Sequence, residues 1–222
     1  MKLQLVIGNK NYSSWSMRPW VLLRQAQIPF EEVPLKFQVS EGGLSVAGIE
    51  PYSKARKVPV LTIDGEPVWD SLAICETVAE MFPDKHLWPE APQARRFARS
   101  ACAEMHSGFQ NLRQRMSMNC RRSFPGLGRT VEVAADIERI QQIWSDCRAR
   151  FGQNGPFLFG AFSIADAMYA PVVLRFRTYA VQLDPVCRQY ADAILALPAL
   201  QQWVADGAAE TEVIAAFEPA PV

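Results

Sequence analysis

Two short clusters hold the side chains best suited to chemistry. Asp70-Ser71 falls where strand-like residues give way to helical spacing at Leu72, Ile74, Cys75, Val78, Ala79 and Phe82. A polar pair at that point caps a helix N-terminus, where free backbone N–H groups and the positive end of the dipole favour an anion. The second cluster, Asn11-Tyr12-Ser13-Ser14-Trp15-Ser16-Met17-Arg18, is dense in hydroxyls and joins a first strand to a first helix. Histidine and cysteine offer less. His86 and His106 lack a clear nucleophile partner, which argues against Ser-His-Asp hydrolysis. Cys75, Cys102, Cys120, Cys147 and Cys187 are odd in number and scattered, with no CxxC pair. That argues against a disulfide framework and a zinc site, so no metal is expected.

The elements that must position these clusters follow from periodicity. Leu3 to Ile7 reads as a strand. Helical spacing begins at Ser16, the expected N-cap, with Pro19 tolerated in the first turn. Ile28 and Phe30 to Leu35 supply a second strand, parallel to the first through a right-handed crossover. Val39 to Arg56 reads as a loop carrying one short helix near Leu44–Ile49. Val60 to Ile63 is a strand and Asp64-Gly65 a type I′ turn, because that turn needs φ > 0 at both central residues. Pro67 to Trp69 returns, and Asp70-Ser71 opens the next helix. The order is βαβαββα.

Pro83, Pro89 and Pro92 then mark a boundary. The reading is an α/β domain at 1–83, a linker at 84–93 and an all-helical domain at 94–222. Within the last, Ala94 to Met118 reads as one long helix, Val131 to Phe151 as a second, and Ser163 opens a third. Ser163-Ile164-Ala165-Asp166 has the shape of a capping box, and Pro171 should kink the helix it begins. Asp184-Pro185 and Leu197-Pro198 start two shorter helices, and Pro219 and Pro221 fall in a loosely tied tail.

Composition narrows the function. The 222 residues are 49% apolar and 21% charged, ordinary globular values. Lys and Arg number 23 and Asp and Glu 23, so there is no basic excess for nucleic acid. Arg95, Arg96 and Arg99 sit at helical spacing and read as a solvated face. Leu3 to Ile7 is too short for a signal sequence and no run reaches membrane length, so a cytoplasmic protein without a membrane partner is expected.

Lys57-Val58-Pro59-Val60-Leu61, the hairpin beyond it and Asp70-Ser71-Leu72-Ala73-Ile74 resemble the N-terminal domain of cytosolic glutathione transferases. Gly155-Pro156-Phe157-Leu158-Phe159-Gly160 through Asp166 resembles the capping-box helix of their C-terminal domain. The likeness spans nearly the whole chain in the right order. It implies a thioredoxin-like domain followed by an all-α domain, glutathione as co-substrate, and a homodimer. It also implies that Pro59 is cis and that Val58 exchanges backbone hydrogen bonds with the cysteinyl part of glutathione. Asp70 and Ser71 would hold the γ-glutamyl carboxylate, with Asp70 where Glu or Gln is commoner. Lys57 falls where a polar side chain often contacts glutathione.

Residues 11–20 resemble the Ser-Ser-Cys-x-x-Arg motif of the zeta class, and less closely the serine motif of theta-like enzymes. Ser13 and Ser14 match the serines and Arg18 the arginine, while Trp15 stands in the place of the cysteine. That departure weakens a maleylacetoacetate-type isomerisation and puts a flat wall at the thiol. The resemblance implies a serine-type enzyme nearest to zeta/theta-like bacterial members. A thiol of pKa about 8.5 needs roughly 2.7 kcal/mol of anion stabilisation to fall two units. A hydroxyl donor supplies about 1.5–3 kcal/mol and a helix N-terminus about 0.3–1. One hydroxyl nearly suffices. Ser14 is the first choice, Ser13 the second and Tyr12 the third; Arg18 reads as a structural ion-pair partner. Residues 8–20 hold no cysteine, which disfavours exchange by a protein thiol, and Cys75 reads as an inert core residue.

The second substrate is expected to be a small hydrophobic electrophile, walled by the long helix with His106, Phe109 and Arg113 flanked by Met105 and Met116. The expected function is glutathione conjugation in detoxification. The alternatives are a glutathione-dependent isomerase, which consumes no glutathione, and a non-catalytic binding module on the same fold.

Overall fold

The computed structural model describes residues 1–40 and 43–218, so Pro219 and Pro221 lie outside the described residues. β1 (Leu3–Ile7) leads into α1 (Ser14–Gln25), and β2 (Glu31–Pro34) returns parallel to β1 with Val6 opposite Val33. A hairpin follows, β3 (Phe37–Ser40) and β4 (Gly43–Val46), with Phe37 opposite Val46. It replaces the short helix expected near Leu44–Ile49. Phe37, Val39, Leu44 and Val46 alternate along its arms, and Val46 and Ile49 bury themselves against Val6 and Val60 on the sheet's second face.

β5 (Val60–Ile63) and β6 (Glu66–Trp69) form the expected hairpin through Asp64-Gly65, whose φ values are 51° and 96°. The sheet runs β2-β1-β5-β6, with β1 antiparallel to β5. Helix α2 (Ser71–Met81) packs beside α1. This is a thioredoxin-like domain with a mixed sheet.

A 3-10 turn at Pro83–Lys85 precedes α3 (Pro92–Ser107) and α4 (Gln110–Arg115). The single helix expected over 94–118 is therefore broken. Gly108 caps α3 and Phe109 takes φ 59°, turning the chain into α4. A side chain at Gly108 would meet the Glu104 carbonyl oxygen at 2.7 Å, so glycine permits this tight exit. Then come α5 (Val131–Phe151), α6 (Ile164–Thr178), α7 (Pro185–Leu195) and α8 (Pro198–Ala209).

Helix α6 is the centre of the helical domain: every one of its residues but Arg177 is buried. A helix apolar on all sides belongs inside a core. Its start is the expected capping box, with the Asp166 carboxylate accepting from the Ser163 N–H at 2.8 Å and the Leu158 N–H at 3.1 Å. Trp144 of α5 meets the rings of Tyr169 and Tyr190 edge-on at 5.8 and 4.8 Å. Helix α1 packs directly on α6, so one continuous apolar core runs from the sheet into the helical domain. None of the described helices is long and apolar enough to cross a membrane.

Candidate functional site

Helix α1 starts three residues earlier than the periodicity predicts. Ser13, not Ser16, is its N-cap: Ser13 Oγ accepts from the Ser16 N–H at 3.4 Å and donates to Ser16 Oγ at 2.7 Å. Ser16 Oγ in turn accepts from the Gly8 N–H at 3.2 Å. The earlier start also moves Pro19 into the second turn. Ser13 thus spends its proton and its acceptor inside the cap. Ser14, the first residue of α1, accepts a hydrogen bond from Arg175 Nη2 at 3.3 Å, and its own hydroxyl proton has no acceptor among the described residues. The Tyr12 phenol donates to Glu218 Oε1 at 2.6 Å and accepts from Arg121 Nη2 at 3.0 Å; burial and Glu218 push its pKa up. Tyr12 is tied away from this work.

Asp70 and Ser71 sit at the start of α2. The Asp70 backbone takes φ 75°, and its Oδ1 accepts from the N–H groups of Leu72 and Ala73 at 2.9 and 3.2 Å. Asp70 Oδ2 lies 3.0 Å from His106 Nε2, which brings α3 to the cap. Burial, ahead of the opposing pull of Asp70, lowers the His106 pKa. Ser71 is buried and its Oγ accepts from Arg18 Nη1 at 3.3 Å. The Val58–Pro59 peptide bond is cis; Pro59 is buried, Val58 half-buried and Lys57 exposed.

Arg18 makes no ion pair among the described residues, contrary to the expectation. The ion-paired arginines among the described residues are Arg56, Arg99, Arg122 and Arg139. Arg18 instead stacks on Trp15 at 4.1 Å, and Arg113 lies 4.7 Å from the same ring. His106 meets that ring edge-on at 5.3 Å. Burial, followed by the charges of Arg113 and Arg175, pushes Arg18 down to about 9; burial, followed by Arg113, pushes Arg175 down to about 9. Arg113 is lowered by burial against the pull of Asp136 and Tyr169. Three guanidiniums therefore gather around Ser14 and Trp15. Arg18 Nε and Nη2, Arg113 Nη1, Arg175 Nη1 and His106 Nδ1 are buried without a hydrogen-bond partner among the described residues.

The four guanidinium nitrogens in that set are unpaired donors, which is chemically informative because buried N–H groups without partners cost about 1–3 kcal/mol each and more when charged. Arg175 was not apparent from the sequence. Its signal is an arginine amid the apolar run Val172-Val173-Leu174 and Phe176, on a helix that reads as wholly buried. Of the residues expected to wall the second-substrate site, His106 and Arg113 flank Trp15, whereas Phe109, Met105 and Met116 are buried in the core.

Comparison with known proteins gives the family. The family model described as "Glutathione S-transferase, N-terminal domain" matches residues 12–81, and that described as "Glutathione S-transferase, C-terminal domain" matches residues 130–206. The chain belongs to the glutathione S-transferase family. Among its relatives in that family is a protein of Rattus norvegicus named maleylacetoacetate isomerase, 28% identical over 197 residues, covering 85% of this chain and 87% of its own. A Mus musculus protein of the same name is 33% identical over 100 residues, 45% of this chain and 46% of its own. A glutathione transferase homolog from Burkholderia, crystallised with bound glutathione, superposes with a TM-score of 0.69 at 22% identity, covering 93% of this chain and 98% of that one. A Trametes versicolor glutathione transferase, Omega 3C, superposes with a TM-score of 0.65 at 20% identity, covering 91% of this chain and 84% of that one. At those identities the two structures speak for the fold.

Proposed function

We propose that this glutathione S-transferase family member is a glutathione-using enzyme in which Ser14 activates the thiol and the second substrate is an electrophile bearing a carboxylate or comparable anion. Asp70 and Ser71 at the start of α2 receive the γ-glutamyl end, and Val58 beside Pro59 meets the cysteinyl backbone. Lys57 lies at the exposed rim. The free Ser14 hydroxyl donates to the thiolate, and the Arg175 N–H on its oxygen makes it a stronger donor. Together with the N-terminus of α1, that hydroxyl supplies about the 2.7 kcal/mol needed to lower the thiol by two units. Ser13 serves by fixing the helix start.

The observation that carries the substrate class is the group of unpaired guanidinium donors. Arg18 stands behind Ser71, on the glutathione side. Arg175 touches Ser14 and Arg113 lies across Trp15, on the thiol side. A purely hydrophobic electrophile leaves those charges unanswered; an anionic one satisfies them. The name of the rat relative supports a second reading, a glutathione-dependent isomerase, in which the new C–S bond breaks again and glutathione is regenerated. A non-catalytic module accords less well with a retained hydroxyl and relatives named as enzymes. A homodimer accords with the family resemblance, and light scattering tests it.

Turnover of paired electrophiles, one with and one without a carboxylate, tests the whole reading. The carboxylate-bearing member should be preferred, and Arg175→Met should abolish the preference. Ser14→Ala should retain glutathione binding but lose roughly tenfold or more in turnover, one lost charge-assisted hydrogen bond. Equal turnover by wild type and Ser14→Ala overturns the serine assignment. Glutathione mass balance then separates conjugation from isomerisation.

A further inference from the structure

The loop before Ser14 is held by α8, a helix almost two hundred residues further along the chain. Lys10 N–H donates to Glu210 Oε1 at 2.6 Å and Asn11 N–H to Glu210 Oε2 at 3.0 Å, so one carboxylate takes two successive backbone amides. The Lys10 carbonyl accepts from Trp203 Nε1 at 3.0 Å. Lys10 Nζ pairs with Asp206 at 2.7 Å and lies 5.6 Å from the Trp203 ring. At Gly207 an added Cβ would fall 3.1 Å from Asn11 N and from the Lys10 carbonyl carbon. Trp203, Asp206, Gly207 and Glu210 have the i, i+3, i+4, i+7 spacing of one helix face. That face carries the donor, the charge, the gap and the acceptor that fit Lys10-Asn11. Glu210 itself sits at the C-cap of α8, just past its last turn.

We propose that this face of α8 sets the position of the thiol-activating loop, and that Glu210 is a positioning residue for Ser14. The inference rests on the reading of Ser14 given above. From Asn11 the chain needs only two residues to reach Ser13, whose N–H and that of Tyr12 close onto Asn9 O at 2.8 and 3.2 Å. These two hydrogen bonds close the turn, so a displacement at Lys10-Asn11 is carried into the first turn of α1. Glu210 makes no contact with Ser14; its effect passes through backbone.

Glu210→Gln tests this, because the amide keeps one acceptor and turns its NH2 group toward the other backbone N–H. The thiolate absorbance of glutathione bound to the protein, titrated against pH, should show the apparent pKa raised by about one unit, a roughly tenfold loss of thiolate below it. Glu210→Asp, which keeps both acceptor oxygens, should recover part of that loss. Gly207→Ala, which leaves Glu210 intact but pushes the loop, should shift the titration in the same direction. Glu212→Gln, at an ion pair with Lys36, is the control and should leave it unchanged. A wild-type titration in Glu210→Gln, or an equal shift in Glu212→Gln, overturns the proposal. Amide hydrogen exchange without glutathione tests the same contact independently. Exchange at Lys10 and Asn11 should quicken in Glu210→Gln, and unchanged exchange overturns the role of α8. If wild type shows no bound thiolate while this exchange does quicken, the Ser14 reading fails and the grip of α8 on the loop stands.

Discussion

Ser14 differs from Ser13 by what surrounds each oxygen, and that difference is invisible in the sequence. Both serines are legible as candidates from the hydroxyl-rich run, but which one caps the helix depends on where α1 begins. Arg18 reads in the sequence as a structural ion-pair partner, but its neighbours in the structure are Ser71, the Trp15 ring and two further arginines. Arg18 and Arg175 have folded pKa values near 9, below the ordinary guanidinium range, so both carry a cost of charge that is fully present below about pH 9. An anion that binds the folded state offsets this cost. Small dicarboxylates should therefore raise the melting temperature, by about 5–10 °C at a hundredfold excess over Kd. Arg175→Met should blunt the rise, and a flat response in wild type would count against an anion site. The cysteines make a contrasting prediction. Burial pushes Cys75, Cys120, Cys147 and Cys187 up to about 12 and Cys102 well up, and all five are buried. A thiol reagent near neutral pH should label none of them in the folded protein and all five after denaturation.

Elements with strong local chemistry are legible in the sequence, and those decided by tertiary contact are not. The Asp64-Gly65 turn, the span of α5 and the Ser163–Asp166 capping box each carry their own instructions in turn type, apolar period or cap. The β3–β4 hairpin escapes sequence reasoning because its alternation is short and exposed, with Val39 64% and Leu44 46% accessible. Its purpose is visible only once Val46 and Ile49 cover Val6 and Val60. The break between α3 and α4 escapes it because Phe109, an apolar residue in helical register, adopts φ 59°. Asp166 shows how much one cap can matter. It is buried, accepts from Leu158, Ser163 N–H and Ser163 Oγ, and burial still raises it to about 6. Asp166→Ala leaves those donors unsatisfied in the core, and urea denaturation should show a loss of about 2–3 kcal/mol.

At the scale of the molecule, the two-part organisation is legible from the proline cluster and the change of periodicity, whereas the joint between the parts is not. We propose units at 1–83 and 94–222 with a linker at 84–93. The α1–α6 contact joins their cores, so calorimetry should record one cooperative transition; two separated ones would contradict a shared core. The clamp on Lys10-Asn11 spans up to 200 positions of sequence, a distance over which no local pattern can signal a partner. It has a consequence for the order in which the protein is made. A ribosome releases the Lys10–Ser14 loop well before α8, which begins at Pro198. Until α8 has emerged, the Lys10 and Asn11 amides have no carboxylate to hold them. A nascent chain can bury its sheet early, but its capacity to bind glutathione productively waits for α8.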